Sequence, residues 1–306
     1  MSFILLVGGS GFIGTNLAHH FLDNGESVIV YDRNVPDITH DRLVFIKGEI
    51  SDLNKPSVFN DLSSYEIKDA LFLINNVPVN NNVGDLGSKL NIVKDAILFL
   101  YKLVDRIIFF SSGGRVYGSG KSVHKEIDSL DPLCSYGKSK VLLEGYLSEL
   151  VLNYSGSKSY LVLRPSNPYG SYQRGNNGQG VIPIFVGKIL SGDPLTIYGN
   201  GKETRDYIYI KDLVTLTYLL MKKKSLKYNV YNIGTGVGES LNDIVSYLKM
   251  YMKGKKFNLV YLKQGVASQI PSNVLCVSRL LEEVGEYSFV NLKEGLSFYL
   301  SCLDEK

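Results

Sequence analysis

The chain has 306 residues, 44% of them hydrophobic, enough for one large domain or two modest ones around a sizeable core. Its net charge of +3 is too small to argue for a nucleic-acid partner, and the lysines gathered at Lys222–Lys227 and Lys253–Lys256 read as solvated surface. Three scattered cysteines (Cys134, Cys276, Cys302), four unclustered histidines, no bilayer-length apolar run and no signal-peptide opening predict no disulfide framework, no metal site, no membrane partner and a soluble, cytoplasmic protein.

Phe3 to Val7 is an apolar run that reads as a buried parallel strand. It runs into glycines at 8, 11 and 14 and then into a helical pattern, Thr15 to Leu22. Gly8 permits the tight turn, Gly11 a close approach of the backbone to a pyrophosphate, and Gly14 close packing of helix on strand. The helix start offers free N–H groups to phosphate. The next strand, Ser27 to Tyr31, ends in Asp32, 21 residues after Gly11. A carboxylate there can accept hydrogen bonds from both hydroxyls of an adenosine ribose. Together these features predict a dinucleotide site.

Leu43 to Ile50 is a third strand and its exit, with Glu49 and Ile50 placed to hold an adenine ring; Ser51 and Asp52 begin a short helix. Ala70 to Ile74 is a fourth strand, and the Asn-rich loop from Asn75 to Asn82 lies at its carboxyl end, where ligands bind in doubly wound sheets. A helix over Asn91–Val104 and a fifth strand over Arg106–Ser111 follow, then Ser111-Ser-Gly-Gly-Arg-Val-Tyr-Gly118. Tyr136 and Lys140 open the next helix and share one face. A free tyrosine is a poor base at neutral pH. The ammonium of Lys140, with a nicotinamide charge nearby, is expected to lower the Tyr136 pKa and let it take a proton while hydride leaves the same carbon.

Tyr160 to Arg164 is a sixth strand, ending at Pro165. Beyond it the regular alternation is lost. Helices are predicted at Val181–Leu190, Lys211–Met221, Leu241–Met252, Ser278–Val284 and Leu292–Leu303, and strands at Leu195–Gly201, Arg205–Ile210, Val230–Gly234 and Phe257–Leu262. The pattern predicts an α/β protein: a doubly wound parallel sheet over 1–165, with returning segments near 205–236, and a smaller α/β lobe over 166–306.

These motifs resemble the extended short-chain dehydrogenase/reductase superfamily, in particular the nucleotide-sugar epimerases and dehydratases. The markers are Gly8-x-x-Gly11-x-x-Gly14, Asp32, Asn91, the Ser111–Gly118 segment, Tyr136-x-x-x-Lys140, Leu163-Arg-Pro-x-Asn167 and Ile197-Tyr-Gly-x-Gly-x-x-x-Arg205-Asp-Tyr-Ile-Tyr-Ile210. The resemblance implies a Rossmann-like fold, bound NAD and a UDP-sugar substrate. It carries cofactor contacts to Phe12, Ile13, Arg33, Asn75, Asn91, Ser111 and Pro165 beside the residues already named. Asp32 favours NAD by repelling a 2′-phosphate. Nucleotide-sugar contacts carry over to Asn167, Val181, Thr196, Ile197, Tyr198 and Arg205, and the position that gates sugar size to Asn273. A homodimer through the Asn91–Val104 and Tyr136–Val151 helices is implied as well.

The resemblance also orders the possible reactions. Family dehydratases place an Asp–Glu pair, and decarboxylases a Glu, where this chain has Gly114 and Arg115, which leaves 4-epimerisation through a 4-keto sugar as the best fit. A reductase of 4-keto sugars and a non-catalytic dinucleotide-binding protein remain as alternatives. Gly113 stands where epimerases carry Ser or Thr, with Ser112 as the candidate replacement. Val266 stands where a second diphosphate arginine is usual.

Overall fold

The computed structural model describes residues 2–74, 86–154, 158–173, 180–263 and 270–304. Asn75 and Val266 lie outside them. In chain order the elements are β1 (Ser2–Val7), α1 (Phe12–Asp23), β2 (Ser27–Asp32), β3 (Leu43–Lys47), α2 (Pro56–Ser63), β4 (Glu66–Phe72), α3 (Leu86–Leu103), β5 (Arg106–Phe110), α4 (Gly113–Val116), β6 (Val123–His124), α5 (Ser135–Asn153), β7 (Ser159–Pro165) and β8 (Asn167–Tyr169). They continue as α6 (Val181–Ser191), β9 (Leu195–Tyr198), β10 (Thr204–Tyr209), α7 (Ile210–Met221), β11 (Val230–Ile233), β12 (Gly238–Ser240), α8 (Leu241–Tyr251), β13 (Leu259–Leu262), β14 (Ser272–Leu275), α9 (Ser278–Val284) and α10 (Leu292–Asp304).

The chain divides into two compact units. Met1–Val116, Pro132–Arg164 and Met221–Tyr231 form the first; Tyr117–Asp131, Pro165–Leu220 and Asn232–Lys306 form the second. The large sheet has the order β11-β7-β5-β4-β1-β2-β3. Its strands are almost continuously apolar because both faces are covered: Leu5, Leu6 and Val7 of β1 are all at 0% exposure. Against one face pack Leu90, Val93, Ile97 and Leu100 of α3 and Leu143, Leu147 and Leu150 of α5, at the helical spacing that makes one apolar stripe. β1 pairs with β2 on one side and β4 on the other, both parallel, so the direction of winding reverses beside β1. The crevice at the carboxyl ends of strands flanking such a switch is where this architecture takes ligands. The Gly8–Gly14 turn leaves β1 at that point.

In the second unit β10 is central, pairing with β12, β14 and β8. β9 and β13 make a separate parallel pair. β6, β8, β12 and β14 are absent from the sequence expectation. Each has two to four residues, too few to display a period of two. The short helix expected from Ser51 is split into a 3-10 turn at Ile50–Asp52 and α2, which starts at Pro56, where a proline suits the first helical turn; α4, a single turn, is an addition.

Gly14 and Gly25 show how differently two glycines can be used. A Cβ on Gly14 would sit 2.6 Å from both the Cα and the carbonyl oxygen of Gly9, whereas one on Gly25 would meet nothing within 4 Å, although its φ of +85° disfavours L side chains. Gly14→Ala is therefore expected to cost about 1–3 kcal/mol through forced backbone movement, and Gly25→Ala only about 1–2 kcal/mol of left-handed strain. Urea denaturation of the two variants checks the order.

Candidate active site

The first unit holds two clusters of predicted residues. At the first, Gly8 adopts φ +87°, and a Cβ there would lie 2.8 Å from Ile74 Cγ1, so the turn out of β1 accepts no other residue without strain. α1 starts after Gly11 with no side-chain cap, leaving the Phe12, Ile13 and Gly14 amides at the helix end without intrahelical acceptors. Gly11 is exposed, and a Cβ on it would meet only the Gly8 carbonyl, at 3.5 Å. The Asp32 carboxylate accepts from Ser10 N at 3.1 Å and Asn34 N at 2.9 Å, which ties the end of β2 to the glycine turn. Arg33 beside it is exposed. Tyr31 donates to the Glu49 carbonyl at 2.8 Å and its phenol lies against Gly48, so the chain at exposed Glu49 and half-buried Ile50 is held in place. Uncapped amides beside a strand-end carboxylate are the donor and acceptor set that a dinucleotide's pyrophosphate and ribose require.

The second cluster forms where β5 meets α5. Cys134 caps α5, its sulfur accepting from Gly137 N at 3.4 Å. A side chain on Gly137 would collide with the Arg115 carbonyl, so this glycine lets the single turn of α4 lie against the start of α5. That contact sets Ser112 beside the start of α5, where its hydroxyl favours the ionised form of the Tyr136 phenol. Gly113, the next residue, is buried in the turn of α4 and offers no side chain. Lys140, one turn on, is 3% exposed; its Nζ donates to the Phe110 carbonyl at 2.8 Å and lies 4.7 Å from the centre of the Phe109 ring. Pro165, at the end of β7, is buried.

Two residues that the sequence reading did not single out complete this cluster. Glu144 follows Lys140 by one further turn and is 8% exposed. It accepts the Ser111 hydroxyl and a two-pronged contact from Arg164, Nε to Oε1 at 3.1 Å and Nη2 to Oε2 at 2.6 Å. Tyr136, Lys140 and Glu144 are spaced four apart, so the extended pattern Tyr-x-x-x-Lys-x-x-x-Glu was the available signal.

The electrostatics of the chain alone are the starting point for the proton transfer expected of Tyr136. Burial pushes the Tyr136 phenol up to about 12, against the lowering effects of the Ser112 hydrogen bond and the Arg115 charge. The same burial pushes Lys140 down to about 7, partly opposed by Glu144. The chain alone therefore does not make a phenolate, because the burial of Tyr136 itself outweighs the groups around it that favour ionisation. A positive charge supplied by a bound nicotinamide is what the desolvated phenol lacks.

In the second unit Asn167 Nδ2 donates to the Asp206 carbonyl at 2.8 Å. Arg205 Nη1 donates to the Thr204 carbonyl at 2.7 Å. Asp206, on the opposite side of β10, takes Thr235 N and Oγ1, Gly236 N and Leu275 N, so its carboxylate is bound by the backbone turns around it. Arg205 is in register with Glu239 of β12 and Asn273 of β14, and Asn273 is 1% exposed. Val181 opens α6 after Gly180, while on β9 Thr196 is half-buried, Ile197 fully buried and Tyr198 57% exposed. Asn91 is exposed on α3. Among the described residues no group of acidic, histidine or cysteine side chains could hold a metal, and no helix is long and apolar enough to cross a membrane.

Glu144→Ala is expected to lower stability by about 3–5 kcal/mol in urea denaturation, because it leaves Arg164 buried without its counter-charge. Lys140, lowered from 10.5 to about 7 by folding, gives a signed pH dependence. As pH falls from about 10 to 7 the unfolded chain takes up this proton first, so the cofactor-free protein loses stability across that window. Lys140→Met should remove that slope from melting temperatures recorded between pH 7 and 10.

The model of the NAD dependent epimerase/dehydratase family matches residues 4–234. The dTDP-4-dehydro-6-deoxyglucose reductase of Escherichia coli is 30% identical, over 96% of this chain and 95% of its own length. A putative UDP-glucose 4-epimerase of Methanocaldococcus jannaschii is also 30% identical, over 96% and 95%. The crystal structure of UDP-glucose 4-epimerase from Thermotoga maritima with UDP-glucose superposes with a TM-score of 0.88 at 28% identity, covering 100% of this chain and 99% of that one. The seven-stranded parallel sheet, the glycine turn at its switch point and the Tyr136–Lys140 helix therefore sit in a chain that belongs to the NAD-dependent epimerase/dehydratase family of nucleotide-sugar enzymes.

Proposed function

We propose that the protein is a nucleotide-sugar 4-epimerase acting on a UDP-hexose or UDP-N-acetylhexosamine. The observation that carries this reading is the convergence of Ser112, Tyr136 and buried Lys140 where the turn of α4 lies against α5. Ser112 is the hydroxyl assigned to the relay at the phenol in place of Gly113. The α1 amides and Asp32 are suited to hold NAD, which supplies a reversible hydride acceptor when bound. Ser112 and Tyr136 then take the proton from the 4-hydroxyl and return it after the ring has turned. Lys140 keeps the phenol oriented and adds positive charge in its protonated form. In the second unit Arg205 offers a planar, permanent cation to a diphosphate, and Asn167, Val181, Thr196, Ile197, Tyr198 and Asn273 are assigned to the rest of the nucleotide sugar. Elimination and decarboxylation are disfavoured because Gly114 and Arg115 offer no acid or base.

A second reading is a 4-keto nucleotide-sugar reductase, favoured by the E. coli relative that matches almost the whole chain. Both readings use Tyr136 and Lys140. They differ in whether the cofactor is regenerated in each turnover.

Incubation with UDP-glucose and with UDP-N-acetylglucosamine, followed by proton NMR and by absorbance of NADH, separates them. The C4 epimer should accumulate with no net change in NADH. Stoichiometric NADH consumption with a 4-keto sugar, and no epimer from either UDP-sugar, would establish the reductase instead. Tyr136→Phe should lower kcat by about 10²–10⁴ while NAD still binds. Ser112→Ala should lower kcat with the same sign, and unchanged turnover would remove the relay from the mechanism.

A further inference from the structure

The central strand of the second unit exchanges its neighbours at one residue. β10 pairs with β12 over Thr204–Asp206 and with β14 at Thr204 and Arg205, and from Tyr207 onward it pairs with β8. β14 turns away at the same place, where its Val274 and Leu275 pair with β6. Where strands part, backbone amides lose their ladder partners, and buried ones must find others. The Asp206 side chain stands at that parting and is 0% exposed. Its Oδ1 accepts Thr235 N at 2.9 Å and Thr235 Oγ1 at 3.0 Å, and its Oδ2 accepts Gly236 N at 3.1 Å and Leu275 N at 3.3 Å. These four are neutral donors. A Cβ on Gly234 would collide with the same carboxylate, so the turn that leads into β12 is shaped around it.

Three residues assigned to the nucleotide sugar surround this point. Arg205 precedes Asp206 on β10. Asn273 is in register with Arg205 and lies two residues before Leu275. Asn167 Nδ2 donates to the Asp206 carbonyl at 2.8 Å. Asp206 therefore ties all three together: its carbonyl holds Asn167, its carboxylate holds the strand that carries Asn273, and its own place on β10 sets Arg205.

We propose that Asp206 is a positioning residue for nucleotide-sugar binding, acting through Arg205, Asn167 and Asn273. The inference rests on the reading in which Arg205 meets the diphosphate. Three of the four donors to Asp206 are amide hydrogens, which cannot accept, so both of its oxygens must. Asparagine does not replace it. Whichever way its amide is turned, the NH2 group meets at least one backbone N–H, and the strands around β10 must shift.

The test is calorimetric titration of the NAD-saturated protein with UDP. The dissociation constant is expected to rise about tenfold in Asp206→Asn and about threefold in Thr235→Val, which removes one of the four donors. Thr235→Ser keeps that hydroxyl and should bind UDP as the wild type does. NAD affinity, measured separately, should stay at the wild-type value in every variant, because the glycine turn and Asp32 belong to the first unit. If Asp206 supported stability alone, melting temperatures would fall while the folded variants bound UDP normally, and that result overturns the proposal. A parallel loss of UDP and NAD affinity overturns it as well. Thr235 is half-buried, so its two variants decide the matter if Asp206→Asn does not fold. Arg205→Gln separates the inference from the reading beneath it. Unchanged UDP affinity in Arg205→Gln would overturn the diphosphate assignment and the proposal together. Weakened binding in Arg205→Gln, with none in Asp206→Asn or Thr235→Val, would remove Asp206 alone.

Discussion

Glu144 is a carboxylate sealed under the sheet's edge, and much of the first unit is arranged to make that tolerable. A lone buried charge would neutralise or unfold its surroundings. Here Arg164 of β7 meets it with two N–H groups and Ser111 at the end of β5 donates to it. One side chain thus fixes the end of β5, the end of β7 and the middle of α5 relative to each other. Lys140 and Tyr136 lie on the same face of α5, each one turn earlier. Their placement follows from Glu144 being unable to move without breaking a buried ion pair. A pair of this kind is weak grounds for stability but good grounds for register, since alternative packings of α5 would leave either Arg164 or Glu144 uncompensated.

The first unit was largely readable from the chain because each of its parts repeats one strong local pattern. Apolar runs of five residues, glycines at fixed offsets and a strand-end aspartate each have one physical explanation, and β1, β2, β5, β7 and α5 fall close to where those patterns place them. The second unit was less readable. β8, β12 and β14 earn their strand status from neighbours on β10, not from their own composition, and Gly238–Ser240 or Asn167–Tyr169 alone would pass for turns. The site shows the same division. Tyr136 and Lys140 announce themselves by spacing, while the Arg164–Glu144 pair depends on two strands and a helix converging, which no linear pattern states. The raised pKa of Tyr136 has a related origin: burial of the phenol is a property of the packed helix, which the spacing of Tyr136 and Lys140 does not state.

Family membership and reaction are decided by different residues. In the proposed reading the glycine turn, Asp32 and the Tyr136–Lys140 face would serve any chemistry that moves hydride at a sugar carbon. The choice among reactions, in that reading, falls to the short segment after β5, where Ser112, Gly113, Gly114 and Arg115 occupy four consecutive positions. That segment is one helical turn held by one glycine contact, so its side chains can be exchanged without disturbing the sheet. Small changes there can redirect the chemistry while the fold and the cofactor site persist.

The interleaving of the two units has a consequence for biosynthesis. The first unit is complete only when Met221–Tyr231 has been made, because β11 is the edge strand beside β7. A nascent chain emerging from the ribosome therefore presents β7 as an open edge throughout translation of Pro165–Leu220. Open edges of buried, apolar strands are sites of mispairing. The interval during which β7 waits for β11 is the period in which chaperone capture would matter, and slowing elongation between residues 165 and 230 would lengthen it.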